Sequence, residues 1–378
     1  MVQPAESNLP YRDDEVSGVL EALVSDPALL KLMGQWGMPR MMSMAPALVT
    51  SVIRWRLRRQ MQSAKTIAEF QAIVRGFVED LVTRTIDEFR VTGLDQLDPS
   101  RGYLFLSNHR DIAGDSMLLN LALHRAGLGT VFIAVGDNLV EQRFATDLMR
   151  LNKSFFINRT GANPREVYRD LVASSSFIQT QISEGASVWL AQSEGRAKDA
   201  IDQTDESVLK MLQLSDRKMA LPEKVKALKI IPMCLSYEFD PLDLHKAREL
   251  RCIEETGGYE KTPGEDLRSL ALGLSGHKGR VELKLGQPLE GDFEDLEALA
   301  KAVDDQILSQ TVLYPINHWA AKKLHPDLRG SPFAEVSKLL SEKFEQRLSS
   351  CPPEDQPYWL RIYANPARRS LMPNSPTS

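Results

Sequence analysis

The sequence has few cysteines and no long hydrophobic run. Its three cysteines, Cys234, Cys252 and Cys351, are widely spaced among 378 residues. Neither a disulfide framework nor a zinc site is therefore expected, and the pattern is typical of a reducing compartment. No apolar run approaches the roughly 18 residues of a membrane-spanning helix, and residues 1–18 are polar and acidic. We therefore expect neither a spanning helix nor a secretion signal.

An overall excess of positive charge is also lacking. The formal net charge is −5 and the isoelectric point is about 5.8, which argues against a nucleic-acid partner. With 43% hydrophobic and 26% charged residues, the composition is that of an ordinary globular protein. The length allows one large domain and a smaller one.

One segment, Gly34–Arg59, reverses the charge balance. It is rich in methionine, carries Trp36 and Trp55, and ends in a cluster of arginines. The four arginines are Arg54, Arg56, Arg58 and Arg59. Two interpretations are open: a core-packing helix with a solvated end, or an interfacial segment with methionine and tryptophan at the acyl boundary and arginines on anionic headgroups.

Hydrophobic spacing divides the chain into three parts. Residues 1–92 have helical periodicity, including a helix over Ile67–Phe89 that begins at the capping box Thr66-Ile-Ala-Glu69. In residues 93–350, short β-rich runs alternate with helical segments, which predicts an α/β domain. Residues 351–378 form a proline-rich tail. The fold class expected is α/β, with a mixed, largely parallel sheet flanked by helices and preceded by a helical region.

The predicted elements of the α/β domain are short and regularly spaced. The strands are Tyr103–Leu106, Val131–Val135, Ser154–Ile157, Ser187–Ala191, Lys229–Leu235 and Arg280–Leu285. The helices are Ser116–His124, Gln142–Arg150, Pro164–Glu184, Ser207–Leu214, 293–307 and 331–349.

One histidine and two carboxylates follow the first of these strands. In an open α/β sheet, functional side chains gather where strands end, and His109 lies just past Leu106. An imidazole oriented by Asp115 or Asp111 could deprotonate a hydroxyl group. No G-x-S-x-G motif supplies a serine nucleophile. The alternative is that His109 is an ordinary loop histidine and Asp115 only an N-cap.

Three further blocks follow later strands. They are Phe156-Ile157-Asn158-Arg159, Gln192-Ser193-Glu194-Gly195-Arg196 and the turn Ile231-Pro232. In this order after Asn108-His109 and Asp115, they resemble the blocks of the glycerolipid acyltransferases, the family of glycerol-3-phosphate and 1-acylglycerol-3-phosphate acyltransferases. The residues within the motifs are similar to those of a bacterial branch of this family, and the resemblance covers about residues 100–240.

The blocks depart from the family pattern in two places. The spacing is H-x5-D where the family has H-x4-D, so Asp115 is favoured and Asp111, two residues after His109, is the reserve. With Asn108-His109 and Asp115 counted as the first block, the third block is Gln192-Ser193-Glu194-Gly195-Arg196. It lacks the Phe-Pro of the family pattern, and its arginine follows Gly195 directly. Either Arg196 or Lys198 could therefore take the place of the family's arginine.

The resemblance implies an activity in phospholipid biosynthesis. An acyl group would pass from acyl-CoA or acyl-carrier protein to a hydroxyl of a glycerol-phosphate or lysophospholipid acceptor, with His109 as the base. Arg159 and Arg196 suit phosphate, because a guanidinium binds it bidentately, and Glu194 would hydrogen-bond a glycerol hydroxyl. No cofactor and no metal are implied. The expected location is cytoplasmic, peripheral on an anionic membrane.

Two other functions compete with this one. Asn108-His109-Arg110-Asp111 and Gly136-Asp137-Asn138 have the residue types of a metal-dependent phosphoesterase, although the other histidines are scattered. A non-catalytic lipid-binding protein of the same fold is the second alternative.

Overall fold

A computed structural model describes residues 8–136, 142–161, 163–262, 264–326 and 332–372. The chain divides into two compact units, each discontinuous in sequence. Unit 1 comprises Met1–Asp80 and Val131–Phe177, and unit 2 comprises Leu81–Thr130 and Ile178–Ser378. The sequence-based domain bounds at residues 92 and 350 remain a prediction.

Unit 1 is mainly helical. Its helices are α1 (Asp13–Leu23), α2 (Pro27–Gly37), α3 (Pro39–Met44), α4 (Pro46–Met61), α5 (Ile67–Thr85), α7 (Arg143–Leu151) and α8 (Pro164–Ser183), of which α5 and α8 continue into unit 2. Its strands are β3 (Phe132–Gly136) and β4 (Ser154–Ile157), which pair in parallel.

Local signals in the sequence set the helix starts of unit 1. The Asp26 carboxylate accepts hydrogen bonds from the backbone of Ala28 and Leu29 and so caps α2. The predicted capping box of α5 is confirmed, because Thr66 and Glu69 bond each other's backbone N–H groups. One core cluster of unit 1 joins Val24, Leu30 of α2, and Val49, Ile53 and Leu57 of α4.

Unit 2 contains five strands in the order β1-β7-β6-β2-β5. They are β1 (Ile86–Thr92), β2 (Leu104–Ser107), β5 (Val188–Ala191), β6 (Ile230–Tyr237) and β7 (Gly279–Leu285). β2 pairs in parallel with both β5 and β6, β1 pairs in parallel with β7, and the β6–β7 pair is antiparallel. The predicted α/β class with a mixed, largely parallel sheet is therefore confirmed.

Helices surround these strands along the rest of unit 2. They are α6 (Gly114–Arg125), α9 (Glu206–Leu212), α10 (Leu221–Leu228), α11 (Asp243–Thr256), α12 (Glu265–Ser275), α13 (Leu296–Gln310), α14 (Pro315–Leu324), α15 (Lys338–Ser349) and α16 (Gln356–Leu371).

The helix predicted over Ile67–Phe89 ends earlier than expected. α5 stops at Thr85 and the chain continues as β1, paired with β7 from Ile86 to Thr92. Its sequence, I-D-E-F-R-V-T, places Ile86 and Phe89 three residues apart, a spacing that also fits a helix. Pairing with β7, nearly 200 residues away in sequence, overrides that local pattern.

The C-terminal segment differs from the expected proline-rich tail. Residues 356–371 form α16, in which Trp359 is fully buried, and Pro366 lies inside the helix. α16 packs with α14 and α15 around an aromatic cluster that includes Trp319 and Phe344. Burial of this apolar face stabilises the helix despite its proline. Residues 373–378 lie outside the described residues.

Candidate active site

The end of β2 is fixed by the side chain of Asn108. Its Oδ1 accepts a hydrogen bond from Leu235 N at 2.8 Å, and its Nδ2 donates to Leu235 O at 3.1 Å. Asn108 is fully buried. Its side-chain amide therefore makes, with the backbone of β6, the pair of hydrogen bonds that a backbone partner would otherwise make. The next residue, His109, therefore leaves the strand end at a defined position.

His109 contacts Asp115. Its Nδ1 lies 2.8 Å from Asp115 Oδ2, and the same oxygen accepts from the backbone N–H groups of Arg110 at 2.7 Å and Asp111 at 3.0 Å. Asp115 is fully buried in the first turn of α6, where the helix dipole favours an anion. A carboxylate held in this way fixes Nδ1 as the protonated nitrogen and leaves Nε2 as the acceptor of a proton.

Asp111 has a different set of contacts. Its Oδ1 accepts from the backbone N–H groups of Ala113 at 3.1 Å and Gly114 at 2.8 Å, at the start of α6. The interpretation of Asp115 as the N-cap was therefore wrong, because Asp111 satisfies these helix-start donors instead. Burial, and then the charge of Asp115, raises the pKa of Asp111, and its Oδ2 has no hydrogen-bond partner among the described residues.

The third sequence block lies beside His109. The backbone N–H of Ala197 donates to the His109 carbonyl at 3.1 Å, and the Trp189 ring on β5 meets the His109 ring edge-on, with centroids 5.6 Å apart. The loop turns through Gly195, whose φ is +75°, a conformation that favours glycine. Glu194, just before it, is exposed.

The two cations after Gly195 have different surroundings. The Lys198 ammonium forms an ion pair with Glu249 at 3.1 Å. Arg196 is partly buried, and its Nη1 has no hydrogen-bond partner in the part of the chain that the structure describes. The pKa of Asp240 is lowered: burial acts to raise it, but Lys246 and, more weakly, Arg196 outweigh burial. Arg196 thus has an unused hydrogen-bond donor in Nη1, whereas the Lys198 ammonium is already paired with the Glu249 carboxylate.

A buried charge network that the sequence did not indicate supports this loop. Arg110 Nη2 lies 2.5 Å from Asp202 Oδ2, which also accepts from Asn108 Nδ2 at 3.3 Å. From α16, Asn365 Nδ2 donates to the Asp199 carbonyl at 2.8 Å and Arg369 donates to the Asp202 carbonyl. The segment after the third block is therefore tied both to the residues flanking His109 and to the C-terminal helix. These partners are 92 or more residues apart, so no local sequence pattern indicates that they are in contact.

Arg159 belongs to unit 1. It lies two residues past the end of β4 and is partly buried. The preceding residue, Asn158, donates from Nδ2 to Asp170 Oδ2 at 3.0 Å, which joins the end of β4 to α8. The residue that precedes Arg159 is therefore held against α8.

Two properties of the described residues concern metal binding and membrane spans. They contain no group of three or more His, Cys, Asp or Glu side chains placed to hold a metal ion, and Asp137 and Asn138 lie outside them. Across the same residues, no helix is both long and apolar enough to cross a bilayer.

Comparison with known proteins found a family match for the part of the chain that contains this site. Residues 88–234, which include His109, Asp115 and the third block, match the model of the acyltransferase family, so the predicted acyltransferase resemblance is confirmed for this part of the chain. No curated protein matches the sequence. Among solved structures, the chain is similar to the 1-acyl-sn-glycerophosphate (LPA) acyltransferase PlsC from Thermotoga maritima, with 13% identity and a TM-score of 0.37 over 74% of this chain and 92% of that one.

Proposed function

We propose that the protein is a glycerolipid acyltransferase of phospholipid biosynthesis. It transfers a fatty acyl group from acyl-CoA or acyl-carrier protein to a hydroxyl of a glycerol-phosphate or lysophospholipid acceptor. The observation that carries the proposal is the 2.8 Å contact between His109 Nδ1 and Asp115 Oδ2 within the segment that matches the acyltransferase family.

The contact defines a sequence of proton movements. His109 Nε2 accepts the proton of the acceptor hydroxyl while the alkoxide oxygen forms a bond to the thioester carbonyl carbon. The resulting tetrahedral oxyanion collapses, the carbon–sulfur bond breaks, and the imidazolium returns its proton to the thiolate. The Asp115 carboxylate stabilises the imidazolium between these steps. No serine and no cofactor take part, so the acyl group passes directly from donor to acceptor.

We propose Arg196, in unit 2, as a ligand of the acceptor phosphate; the same proposal for Arg159, in unit 1, rests on the sequence resemblance. A guanidinium presents several donors to phosphate oxygens, and Arg196 Nη1 is buried on the loop that bonds the His109 carbonyl. Glu194 and Gly195 lie on the same loop, where an exposed carboxylate can accept a hydrogen bond from a glycerol hydroxyl. Lys198 contributes less in this scheme, because Glu249 already neutralises its charge.

Unit 1 offers a surface suited to an anionic membrane. One face of α4 packs Val49, Ile53 and Leu57 into the core of unit 1. A second face exposes Leu48, Val52 and Trp55, of which Trp55 is 61% exposed. This two-faced pattern favours the interfacial interpretation of the segment over simple core packing.

Positive charge accompanies the exposed apolar residues. Trp36, Met41 and Met44 on α2 and α3 are also exposed, and Met44 is 85% exposed. Arg54, Arg56, Arg58 and Arg59 are all exposed on α4. Each cation near an anionic surface contributes about 1 kcal/mol of attraction. We propose that this surface holds the enzyme on the cytoplasmic face of the membrane, where its substrates reside.

An acceptor panel tests the proposed activity. Purified protein is incubated with labelled acyl-CoA or acyl-carrier protein and with glycerol 3-phosphate, lysophosphatidic acid or a lysolipid without a terminal phosphate. We expect labelled ester with a phosphate-bearing acceptor and none with the His109→Ala variant. Binding of acyl donor without ester formation from any acceptor would instead favour the non-catalytic lipid-binding protein.

A further inference from the structure

The mechanism above uses only one oxygen of the Asp115 carboxylate. The other oxygen, Oδ1, accepts a hydrogen bond from the hydroxyl of Tyr237 at 2.9 Å. Tyr237 is the last residue of β6 and lies just past residue 234, where the match to the acyltransferase family ends. The family relationship therefore assigns this tyrosine no role.

The hydrogen bonds to Asp115 are unequally distributed. Oδ2 accepts from His109 and from two backbone N–H groups, whereas Oδ1 accepts from Tyr237. Asp115 is fully buried, so water cannot readily replace a lost donor, and a buried carboxylate oxygen without a donor is unfavourable. Tyr237 therefore satisfies the second oxygen and resists rotation of the carboxylate away from the His109 ring.

We propose that Tyr237 is a positioning residue of the acyltransferase, which holds the Asp115 carboxylate in the orientation that activates His109. This inference rests on the proposed function. Tyr237 touches neither the acceptor nor the acyl group in this scheme and acts through Asp115. It thus extends the His109–Asp115 pair to a chain of three side chains drawn from the loop after β2, from α6 and from β6.

The chemistry of the phenol suits this role. Burial, followed by the negative charge of Asp115, raises the pKa of Tyr237 well above its ordinary value, so the hydroxyl remains a donor throughout the neutral range. The other charged groups that act on the Asp115–Tyr237 pair are His109, Arg110, Asp111, Asp240 and Lys278.

The sign of the expected pH effect follows from charge. A donor to Oδ1 spreads the negative charge of the carboxylate. Without it, the more concentrated charge holds the His109 imidazolium more strongly, and only the neutral imidazole can act as a base. Removing the hydroxyl should therefore move the acidic limb of the pH–rate profile to higher pH.

Unit 2 supplies a matched control. The Tyr363 hydroxyl donates to Asp243 Oδ2 at 2.8 Å, and both residues are buried. Asp243 pairs with Arg347 and not with a histidine. Tyr363→Phe therefore removes a tyrosine hydrogen bond to a buried carboxylate of the same unit, together with the bond that the hydroxyl accepts from Asp240 N at 3.1 Å. It removes none of the contacts of Asp115.

The experiment compares wild type, Tyr237→Phe and Tyr363→Phe. For Tyr237→Phe we expect kcat to fall on the order of tenfold, both KM values to stay within about twofold, and the acidic limb to shift upward. Tyr363→Phe should lower the unfolding temperature but leave the shape of the pH profile unchanged. A Tyr237→Phe profile that superimposes on that of wild type, with reduced thermal stability alone, overturns the proposal.

A second measurement separates this inference from the proposed function. NMR follows the titration of the His109 imidazole in wild type and in Tyr237→Phe, and it requires no acyl transfer. A shift of the midpoint to higher pH supports the role of Tyr237 even in a protein that transfers no acyl group, whereas an unchanged midpoint excludes it. Failure of every acceptor in the panel would instead overturn the proposed function.

Discussion

Two segments of the chain depart from ordinary structure in opposite ways. One is Ser107–Ser116 in unit 2, which comprises the loop between β2 and α6 together with the strand end and the first helical turn that flank it, and the other is the helical segment Gly34–Arg59 in unit 1. In the loop, charged side chains are buried and held by hydrogen bonds, as the contacts of Asp115 illustrate. In the helical segment, tryptophan, methionine and leucine side chains are exposed to solvent. A protein that only needed to fold would do neither, because buried charge and exposed apolar surface both cost free energy.

The difference teaches how each segment serves the proposed function. Buried, oriented charge is useful for moving a proton in a site from which water is excluded. Exposed apolar surface mixed with cations is useful only against a partner that is itself apolar and anionic, such as a lipid bilayer. Changes in the loop should therefore alter turnover, whereas changes in the helical segment should alter membrane binding and leave turnover on soluble substrates intact.

The largest effect is expected from His109→Ala. Loss of the base should lower kcat by roughly 10²–10⁴-fold, while the unfolding temperature changes little because Asp115 Oδ2 retains two backbone donors. Turnover is measured with saturating acceptor, and circular dichroism monitors the fold. The control is His124→Ala, which removes an exposed histidine from the end of α6. Activity within a few-fold of wild type would show that His109 is not the base.

The next effect distinguishes the two aspartates of the loop. Asp115→Asn should lower kcat by about 10²-fold, because an amide no longer stabilises the imidazolium and no longer fixes the tautomer. Asp111→Asn should change kcat less than about threefold, since the amide oxygen can still accept from Ala113 and Gly114. The raised pKa of Asp111 means that burial disfavours its charge, so an uncharged replacement is tolerated. The reverse ranking would transfer the catalytic role to Asp111.

The helical segment gives a smaller effect, confined to the membrane. Replacing Arg54, Arg56, Arg58 and Arg59 with glutamine should reduce binding to phosphatidylglycerol vesicles at least tenfold, given about 1 kcal/mol for each cation near the surface. Flotation of liposomes measures the bound fraction, and high salt should mimic the substitution. Turnover on water-soluble substrates should not change.

The matched control for that experiment has the same charge change elsewhere. Lys210, Arg217, Lys218 and Lys226 are exposed in unit 2, and their replacement with glutamine should leave vesicle binding within about twofold of wild type. Equal loss in both variants would mean that net charge, and not the surface on α4, governs binding. Undiminished binding to neutral vesicles would point to the exposed apolar residues alone.

Sequence patterns predicted some parts of this architecture and missed others for a physical reason. The strands from Tyr103 to Leu285 were placed to within about two residues, because apolar runs bounded by turns are a local signal. The helices α10, α11, α12 and α14 are not among the predicted elements. Neither are β1 and α16, and each of these two is stabilised by a distant partner: β1 by β7, and α16 by the aromatic cluster that contains Trp359.

The site shows the same division between local and distant signals. His109, Asp115 and the Glu194–Lys198 loop are short motifs at strand ends, so they are visible in the sequence. Tyr237 is separated by 122 residues from Asp115, and Asp202 by 92 from Arg110. Only the sheet order, which places β6 beside β2, brings Tyr237 to Asp115. A buried polar network therefore becomes visible only after the fold is known.

The smallest effect is expected from replacing single cations, Arg196, Arg159 or Lys198, and it tests which substrate each of them binds. Arg196→Ala should raise KM for a phosphate-bearing acceptor roughly tenfold, as expected for a lost charge-assisted hydrogen bond, with little change in KM for the donor. Arg159→Ala should also raise KM for the acceptor.

Lys198→Ala serves as the control and should change the acceptor KM less than about threefold, because Glu249 already pairs with that ammonium. Steady-state kinetics with each substrate varied in turn separates the two constants. If the increase appears in the donor KM instead, these arginines bind the phosphates of CoA, and the acceptor is recognised elsewhere.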